Sequence, residues 1–145
     1  MKRFVIDTNI IFSALVKDSA TRKILIDCPF ELYAPETLIT EIRNYELRIL
    51  QKSGLPKVEF EVLFSLITEK VTIISKKEYG QFVTKAKSLI PNDEKDVPFV
   101  ALALAISNDG IWSDDRDFQK QKTVKIWTTS DILDFLNKQD RVLCS

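Results

Sequence analysis

The chain of 145 residues contains no histidine, and this absence excludes several kinds of active site. Serine–histidine and cysteine–histidine nucleophile systems and histidine-ligated zinc are ruled out, as is the commonest general base at neutral pH. The only cysteines, Cys28 and Cys144, lie far apart without a metal-binding or redox spacing, which favours buried or free thiols. Any hydrolytic chemistry would therefore depend on carboxylates and a metal ion.

Net charge and long apolar runs are also lacking. The 21 basic and 21 acidic residues cancel, so overall charge does not attract a nucleic acid. The longest apolar runs, such as residues 97–106, fall short of the roughly 18 to 20 residues of a membrane span, and polar residues after position 6 are unlike a signal peptide. With 45% hydrophobic residues and 3 glycines, the composition predicts one soluble cytoplasmic domain without membrane association.

The first apolar segment ends in an acid. Phe4, Val5 and Ile6 form a continuous apolar run that predicts a strand buried on both faces of a parallel sheet, and Asp7 follows directly. Ligands of open α/β sheets bind just beyond the carboxyl ends of the strands, so Asp7 is a candidate site residue. Alternatively, Asp7 or Asn9 caps the following segment. This stretch alone does not decide between the two interpretations.

The remaining pattern predicts an alternation of strands and helices. Further strands are predicted at residues 30–34, 71–74, 111–113 and 123–127. Helices are predicted at residues 20–27, 36–52, 56–70, 77–90 and 130–136, with another that starts near residues 93–95. The inward side chains of the helix at 56–70 are predicted to be Val58, Val62, Leu63, Leu66 and Ile67. This order predicts an α/β fold: one domain of residues 1–138 with a mostly parallel central sheet and helices on both faces, and a C-terminal tail of residues 139–145.

Two predicted helices carry acids in unusual places. Glu41 lies at the edge of the apolar stripe of its helix, where an unpaired charge is costly, although it could also reach water or pair with a cation. Pro98 is tolerated only in a first turn, so Asp96 lies at the start of its helix, where acids are also favoured by the helix dipole. Three acids within residues 93–96 exceed what capping requires, however.

Asp114 and Asp115 follow the predicted strand of residues 111–113 and again stand at a carboxyl end. In a parallel sheet Asp115 and Asp7 would emerge on the same side, where Glu41 and Asp96 can join them. Carboxylates gathered in one notch raise each other's pKa unless a cation neutralises them. With oxygen ligands alone, Mg²⁺ or Mn²⁺ is the expected cation, and it could activate water for phosphodiester hydrolysis.

These residues resemble the PIN-domain nucleases, which include the VapC-type toxins of bacteria and archaea. The matching segments cover nearly the whole chain in the right order: Val5-Ile6-Asp7-Thr8-Asn9, Leu38-Ile39-Thr40-Glu41-Ile42, Asp93 with Asp96 before Val100-Ala101-Leu102-Ala103, and Trp112-Ser113-Asp114-Asp115-Arg116-Asp117-Phe118. The resemblance implies a metal-dependent endoribonuclease for single-stranded RNA, usually a homodimer, with an antitoxin protein as a possible partner.

The resemblance also implies a role for each site residue. The metal-binding and catalytic acids would be Asp7, Glu41, Asp96 and Asp115, with Asp117 as an auxiliary ligand or supporting acid. Thr8, Asn9 and Ser113 would orient the carboxylates, and Asp93 would be a further supporting acid. The adjacent Asp114 makes the last acid ambiguous by one residue, although the spacing from Ser113 and the Asp-x-Asp-Phe pattern favour Asp115.

Substrate contacts and alternative functions are less constrained. Candidate RNA contacts are the basic residues predicted near the acids, although charged residues at such positions are more often plain solvated surface: Arg22, Lys23, Arg116, Lys120 and Lys122. Bases could stack on Phe12, Phe118 or Trp127, although a core role is the favoured interpretation for these rings. A non-catalytic PIN-like module that binds RNA or protein is an alternative, against which the complete acid set argues. A phosphoryl-transfer domain with Asp7 as nucleophile is another, but the chain lacks an Asp-x-Asp opening.

Overall fold

The computed structural model describes the backbone of residues 1–144 and the side chains of residues 1–139. Five parallel strands form one sheet in the order β3-β2-β1-β4-β5, with β1 (Arg3–Ile6), β2 (Glu31–Pro35), β3 (Val71–Ile74), β4 (Gly110–Trp112) and β5 (Ile126–Trp127). Phe4, Val5 and Ile6 of β1 are fully buried. Because neighbouring strand residues face opposite sides of a sheet, both faces of β1 are covered. The predicted α/β architecture is confirmed.

Helices cover the sheet on both faces. They are α1 (Thr8–Val16), α2 (Ala20–Ile26), α3 (Thr37–Asn44), α4 (Glu46–Ser53), α5 (Lys57–Thr68), α6 (Lys76–Tyr79), α7 (Val83–Leu89), α8 (Val97–Ala105) and α9 (Thr129–Cys144), with 3₁₀ turns at Gly80–Phe82 and Arg116–Lys120. Helix α8 is apolar around most of its circumference and packs on β1, β2 and β4, with α6 and α7 against it. Helix α1 packs with α2, α3, α4 and α5.

Three predicted helices have different bounds in the structure. The helix predicted at 36–52 is divided at Tyr45, whose backbone N–H is shared between the carbonyl oxygens of Glu41 and Ile42 at 3.2 and 3.1 Å. Such a shared bond tightens the last turn and ends the helix. The helix predicted at 77–90 is divided into α6 and α7 by the 3₁₀ turn that begins at Gly80. Helix α8 begins at Val97 rather than near residues 93–95, so Asp96 is its N-cap.

Helix α5 buries a face that only partly matches the predicted one: Ile67 is fully buried and Leu63 partly buried, as predicted. Val58, Val62 and Leu66, which were predicted to point inward, are 74%, 57% and 47% exposed. Phe60 and Phe64 are buried instead, with their ring centroids 5.7 Å apart. Both stripes have helical spacing, so periodicity alone does not distinguish them. The larger aromatic rings remove more apolar surface from water and therefore take the inward face.

The last strand is shorter than the predicted 123–127 because the side chain of Gln121 organises the preceding loop. Its amide donates to the carbonyl oxygens of Phe118 and Val124, and its carbonyl accepts from the backbone N–H of Val124. Pairing of β5 with β4 requires Gly110, which has φ +141°, and a Cβ at this position would lie 2.5 Å from the carbonyl oxygen of Lys125.

The C-terminal segment continues as helix. The boundary predicted after residue 138 falls within α9, and Ser145 of the predicted tail lies outside the described residues. The side chain of Cys144 also lies outside them, whereas Cys28 is a half-buried free thiol. Within residues 1–144, no helix has the length and hydropathy needed to cross a membrane.

Candidate functional site

A cleft of about 720 Å³ lies beyond the carboxyl ends of β1 and β4. Asp7 follows β1 directly, and Asp115 follows β4 after two intervening residues. Both line the cleft, together with Glu41 from α3 and Asp96 from the start of α8. The remaining lining residues are Thr8, Asn9, Tyr45, Pro91, Asn92, Asp93, Glu94 and Lys95. The fold thus brings four separate acid-bearing segments to one opening.

Ser113 connects Asp7 to Asp115. Its hydroxyl donates to Asp7 Oδ2 at 2.8 Å and accepts from the backbone N–H of Asp115 at 3.0 Å. Asp7 and Ser113 are buried, with 2% and 0% exposure. The Asp115 carboxylate is held in turn by the backbone N–H of Asp117, which donates to Asp115 Oδ1 at 2.9 Å. A single buried hydroxyl therefore fixes the relative position of two acids from neighbouring strands.

Asp7 and Asp96 both stand at N-cap positions. Asp7 precedes α1 and Asp96 precedes α8, and neither carboxylate makes a capping hydrogen bond of regular geometry, although the Asn9 backbone amide is close enough to lower the pKa of Asp7. Capping therefore does not account for Asp96 and accounts for Asp7 only in part. Both helices begin at the cleft, and the partial positive charge of a helix N-terminus favours anions there.

A second group of carboxylates lies beside Asp96. One oxygen from each of Asp93, Asp96 and Asp117 lies within 4.8 Å of the others. The Lys120 ammonium is 2.9 Å from Asp117 Oδ1 and 4.0 Å from Asp93 Oδ2. The cleft therefore carries a high density of negative charge that Lys120 and Lys95 only partly offset.

This crowding changes the protonation of Asp96. The pKa of Asp96 is raised to about 7, first by burial and then by the negative charges of Asp7, Asp115, Asp93 and Asp117 in that order of importance. A carboxyl in such surroundings holds its proton near neutral pH unless a cation stabilises its charged form.

Asp7 and Glu41 are affected in the same direction. Burial raises the pKa of Asp7 to about 6, against the opposing effects of the Ser113 hydroxyl and the Asn9 backbone amide. Burial also raises the pKa of Glu41, which the Thr8 hydroxyl and the Lys95 ammonium oppose. The Thr8 hydroxyl is itself buried and, within the described part of the chain, lacks a hydrogen bond of regular geometry. Three acids of one cleft thus resist ionisation.

The structure distinguishes the two adjacent acids after β4. Asp114 accepts hydrogen bonds from the backbone N–H and the hydroxyl of Thr129, both at 2.7 Å. Thr129 is the first residue of α9, so Asp114 stabilises the start of that helix. Asp115 lines the acid cleft instead. Of the two adjacent acids, Asp115 is therefore the one described as lining the cleft.

Comparison with known families agrees with this geometry. A family model described as the PIN domain matches residues 5–137. The chain belongs to the PIN-domain family. No curated protein sequence gives a significant match.

PIN domains are generally metal-dependent nucleases, and the acids of this PIN domain fit a divalent cation. The donor atoms in the cleft are carboxylate oxygens, which suit hard cations. The raised pKa values of Asp7 and Asp96 give the physical reason, because a bound cation would stabilise the charged carboxylates against burial and against their mutual repulsion. Asp93 and Asp117 add carboxylates within reach of Asp96.

The candidate RNA contacts are scattered over this PIN domain. Lys120 lies beside the acids. Arg22 was predicted near them, but its Nε donates to the carbonyl oxygen of Ala14 at 2.7 Å, near the far end of α1. Ala14 is about 9 Å along the helix axis from Thr8, which lines the cleft. The other three candidates are exposed, and none is described as lining the cleft: Lys23, Arg116 and Lys122.

The three rings predicted as possible stacking partners for bases differ in their burial. Phe118 is fully buried and Trp127 is 9% exposed, so both belong to the core. Phe12 is only partly buried and packs against Tyr45, with ring centroids 6.0 Å apart. Tyr45 and Lys95 also line the cleft, although neither was predicted as a site residue. Their positions in the sequence could have indicated this, because Tyr45 lies one helical turn after Glu41 and Lys95 directly precedes Asp96.

Proposed function

We propose that this PIN domain is an endoribonuclease that hydrolyses phosphodiester bonds of single-stranded RNA with Mg²⁺ or Mn²⁺. The proposal is supported chiefly by Asp7 and Asp115, which the Ser113 hydroxyl holds together in a cleft shared with Asp96. The family acts on nucleic acids through metal-dependent chemistry, and the choice of single-stranded RNA follows from the resemblance to VapC-type members.

The proposed ligands are acids that line the cleft or lie beside it. Asp7, Asp96 and Asp115 would hold a divalent cation, and Asp117 would contribute from beside Asp96 with Asp93 in support. When bound, the cation would lower the pKa of water and stabilise negative charge on the phosphodiester oxygens. Ser113 would keep the Asp7 carboxylate aimed at the cleft, since its hydroxyl bond to Oδ2 restricts rotation of that side chain.

We assign the proton-accepting role to Glu41. A general base works best when its pKa lies near the working pH, and burial moves the pKa of Glu41 upward from that of a free glutamate. Its carboxylate would take the proton of the attacking water. Thr8 and Asn9 line the same wall, and the Thr8 hydroxyl would orient the Glu41 carboxylate.

The test is cleavage of an end-labelled single-stranded RNA by the purified protein. Internal cleavage with Mg²⁺ or Mn²⁺ and none in EDTA is expected, whereas duplex RNA and single-stranded DNA of the same sequence should remain intact. Asp7→Asn, purified in parallel, controls for contaminating nucleases because it keeps an oxygen that can accept from Ser113. RNA binding without cleavage under either metal would favour the non-catalytic binding module instead.

We further propose that the protein is the toxin of a toxin–antitoxin pair, acts in the cytoplasm and forms a homodimer. The exposed apolar face of α5, formed by Val58, Val62 and Leu66, supports self-association. Expression of the intact protein should arrest growth, and Asp7→Asn should not. Co-expression of a small protein from the adjacent gene should restore growth if that gene encodes the antitoxin; growth arrest that persists in Asp7→Asn would contradict the toxin assignment.

A further inference from the structure

Four side chains form a continuous lysine–aromatic strip that begins inside the cleft and continues over α1 and α4: Lys95, Tyr45, Phe12 and Lys52. The Lys95 ammonium lies 3.1 Å from the Tyr45 hydroxyl and 5.7 Å from the centre of its ring. The Tyr45 and Phe12 rings meet edge to face at 6.0 Å. The Lys52 ammonium lies 5.6 Å from the centre of the Phe12 ring.

Both lysines of the strip are available to an anionic ligand. They are exposed, and among the residues with described side chains neither pairs with a carboxylate within 4.0 Å. Arg43, by contrast, is paired with Glu46 and Glu61. The strip is therefore a basic surface beside a strongly acidic cleft.

The two rings of the strip lie at or beside the acid cleft, whereas the other described aromatic rings near a lysine, Trp127 and Phe135, do not line it. Trp127 lies 4.2 Å from the Lys125 ammonium, but its side chain is almost completely buried by the core. Tyr45 and Phe12 are only partly buried, and Tyr45 itself lines the cleft. An unstacked base that leaves the cleft on the Tyr45 side would lie within reach of both rings.

We propose that the lysine–aromatic strip binds the nucleotides that flank the cleaved bond, with bases against Tyr45 and Phe12 and phosphates beside Lys95 and Lys52. The inference rests on the proposed action on single-stranded RNA. Surfaces that bind single strands combine cations along the backbone with aromatic rings for the bases. Duplex RNA would not engage the rings, because its bases are already stacked.

The experiment measures binding of a fluorescein-labelled single-stranded RNA by anisotropy, with Asp7→Asn as the parent so that the probe stays intact. Tyr45→Leu should weaken binding between about fivefold and a hundredfold, because one stacked base is lost. Tyr45→Phe keeps the ring and loses only the hydroxyl contact with Lys95, so its binding should stay close to that of the parent. Thermal unfolding of each variant confirms that it is folded.

The lysines are tested through the salt dependence of the same binding. In the double variant Lys52→Gln, Lys95→Gln the decrease of log affinity with log salt concentration should become shallower. The magnitude of the slope should fall by about 1.4, since each phosphate contact on a single strand contributes about 0.7. Lys77→Gln, which replaces an exposed lysine outside the strip and the cleft, is the control and should leave the slope unchanged.

The outcomes separate this inference from the proposed function. Binding that is unchanged in Tyr45→Leu and in the double lysine variant would overturn the strip, even if the intact protein cleaves RNA. Strip-dependent binding by a protein that cleaves no RNA would uphold the strip and refute the nuclease. A parent protein that binds no single-stranded RNA would overturn both.

Discussion

The hydroxyl of Ser113 donates to Asp7 Oδ2 at 2.8 Å and joins two residues that lie 106 positions apart in the chain. The same oxygen accepts the backbone N–H of Asp115. Because β1 and β4 are neighbours in the sheet, the bond links the carboxyl ends of both strands. One side chain thus supports the sheet and the acid cleft together.

Ser113→Ala should therefore reduce both stability and metal affinity. The buried Asp7 carboxylate would lose its hydroxyl donor, and a lost partner of a buried polar group costs roughly 1 to 3 kcal/mol. The pKa of Asp7 should also rise, since the hydroxyl lowers it. Urea unfolding and Mn²⁺ titration measure the two effects, with the exposed Ser130→Ala as control. Equal Mn²⁺ affinity in both variants would refute the role of Ser113.

The adjacent acids after β4 should separate in a metal titration. Asp115→Asn is expected to lower Mn²⁺ affinity, because it removes a charge from the cleft. Asp114→Asn should leave the affinity unchanged, since Asp114 contacts Thr129 instead. Asp114→Ala should lower the free energy of unfolding by about 1 kcal/mol through loss of the helix cap. Calorimetry and urea unfolding check these results, and a larger loss of metal affinity in Asp114→Asn would contradict them.

The stability of the metal-free protein should fall as the pH rises. The pKa of Asp7 is raised from 3.8 to about 6, and that of Asp96 from 3.8 to about 7. The folded state thus binds these protons more tightly than the unfolded state, so their contribution to stability is complete below pH 3.8 and is lost as the pH rises through 6 and 7.

A divalent cation should reverse this loss because it stabilises the charged carboxylates. The rise in Tm on adding Mg²⁺ should accordingly be larger at about pH 8 than at about pH 5.5. Thermal unfolding with Mg²⁺ and with EDTA at both pH values measures it. An equal or smaller rise at the higher pH would show that Mg²⁺ does not bind through these acids.

The exposed face of α5 should mediate the proposed homodimer. Val62→Glu places a charge in the middle of that face and should convert the dimer to a monomer. Val62 is 57% exposed, so the monomer's free energy of unfolding should change by no more than about 0.5 kcal/mol. Sedimentation equilibrium measures whether the protein is a dimer or a monomer, with Glu59→Gln on the same helix as control. A Val62→Glu protein that remains dimeric would place the interface elsewhere.

Several features of the fold could be predicted because they depend on local pattern. The predicted bounds of β1, β3 and α2 are nearly correct. The face of α5 could not be chosen, because two apolar stripes share one helix and only packing shows that Phe60 and Phe64 lie inward. The end of α3 at Tyr45 was missed because it depends on a shared backbone bond rather than on a glycine or proline.

The site residues also divide into those that the local sequence pattern predicts and those whose contacts depend on the fold. Asp7, Glu41, Asp96 and Asp115 could be selected as candidates from strand ends, helix starts and the family resemblance. The separation of Asp114 from Asp115 depends on a contact with Thr129, which is 15 positions further along the chain. The contact between Lys95 and Tyr45 joins residues 50 positions apart, so neither spacing nor composition could reveal it.

The central claim is that the carboxylates of the cleft serve metal-dependent RNA cleavage at the expense of stability. Asp96 tests it most directly, since its raised pKa marks an unfavourable charge and its side chain makes no helix cap. The measurement is RNA cleavage and Tm of Asp96→Asn beside the intact protein, at about pH 8 with Mn²⁺ for cleavage and with EDTA for the Tm. The account predicts that cleavage is abolished while the Tm is equal or higher. Undiminished cleavage in a folded Asp96→Asn protein would contradict it.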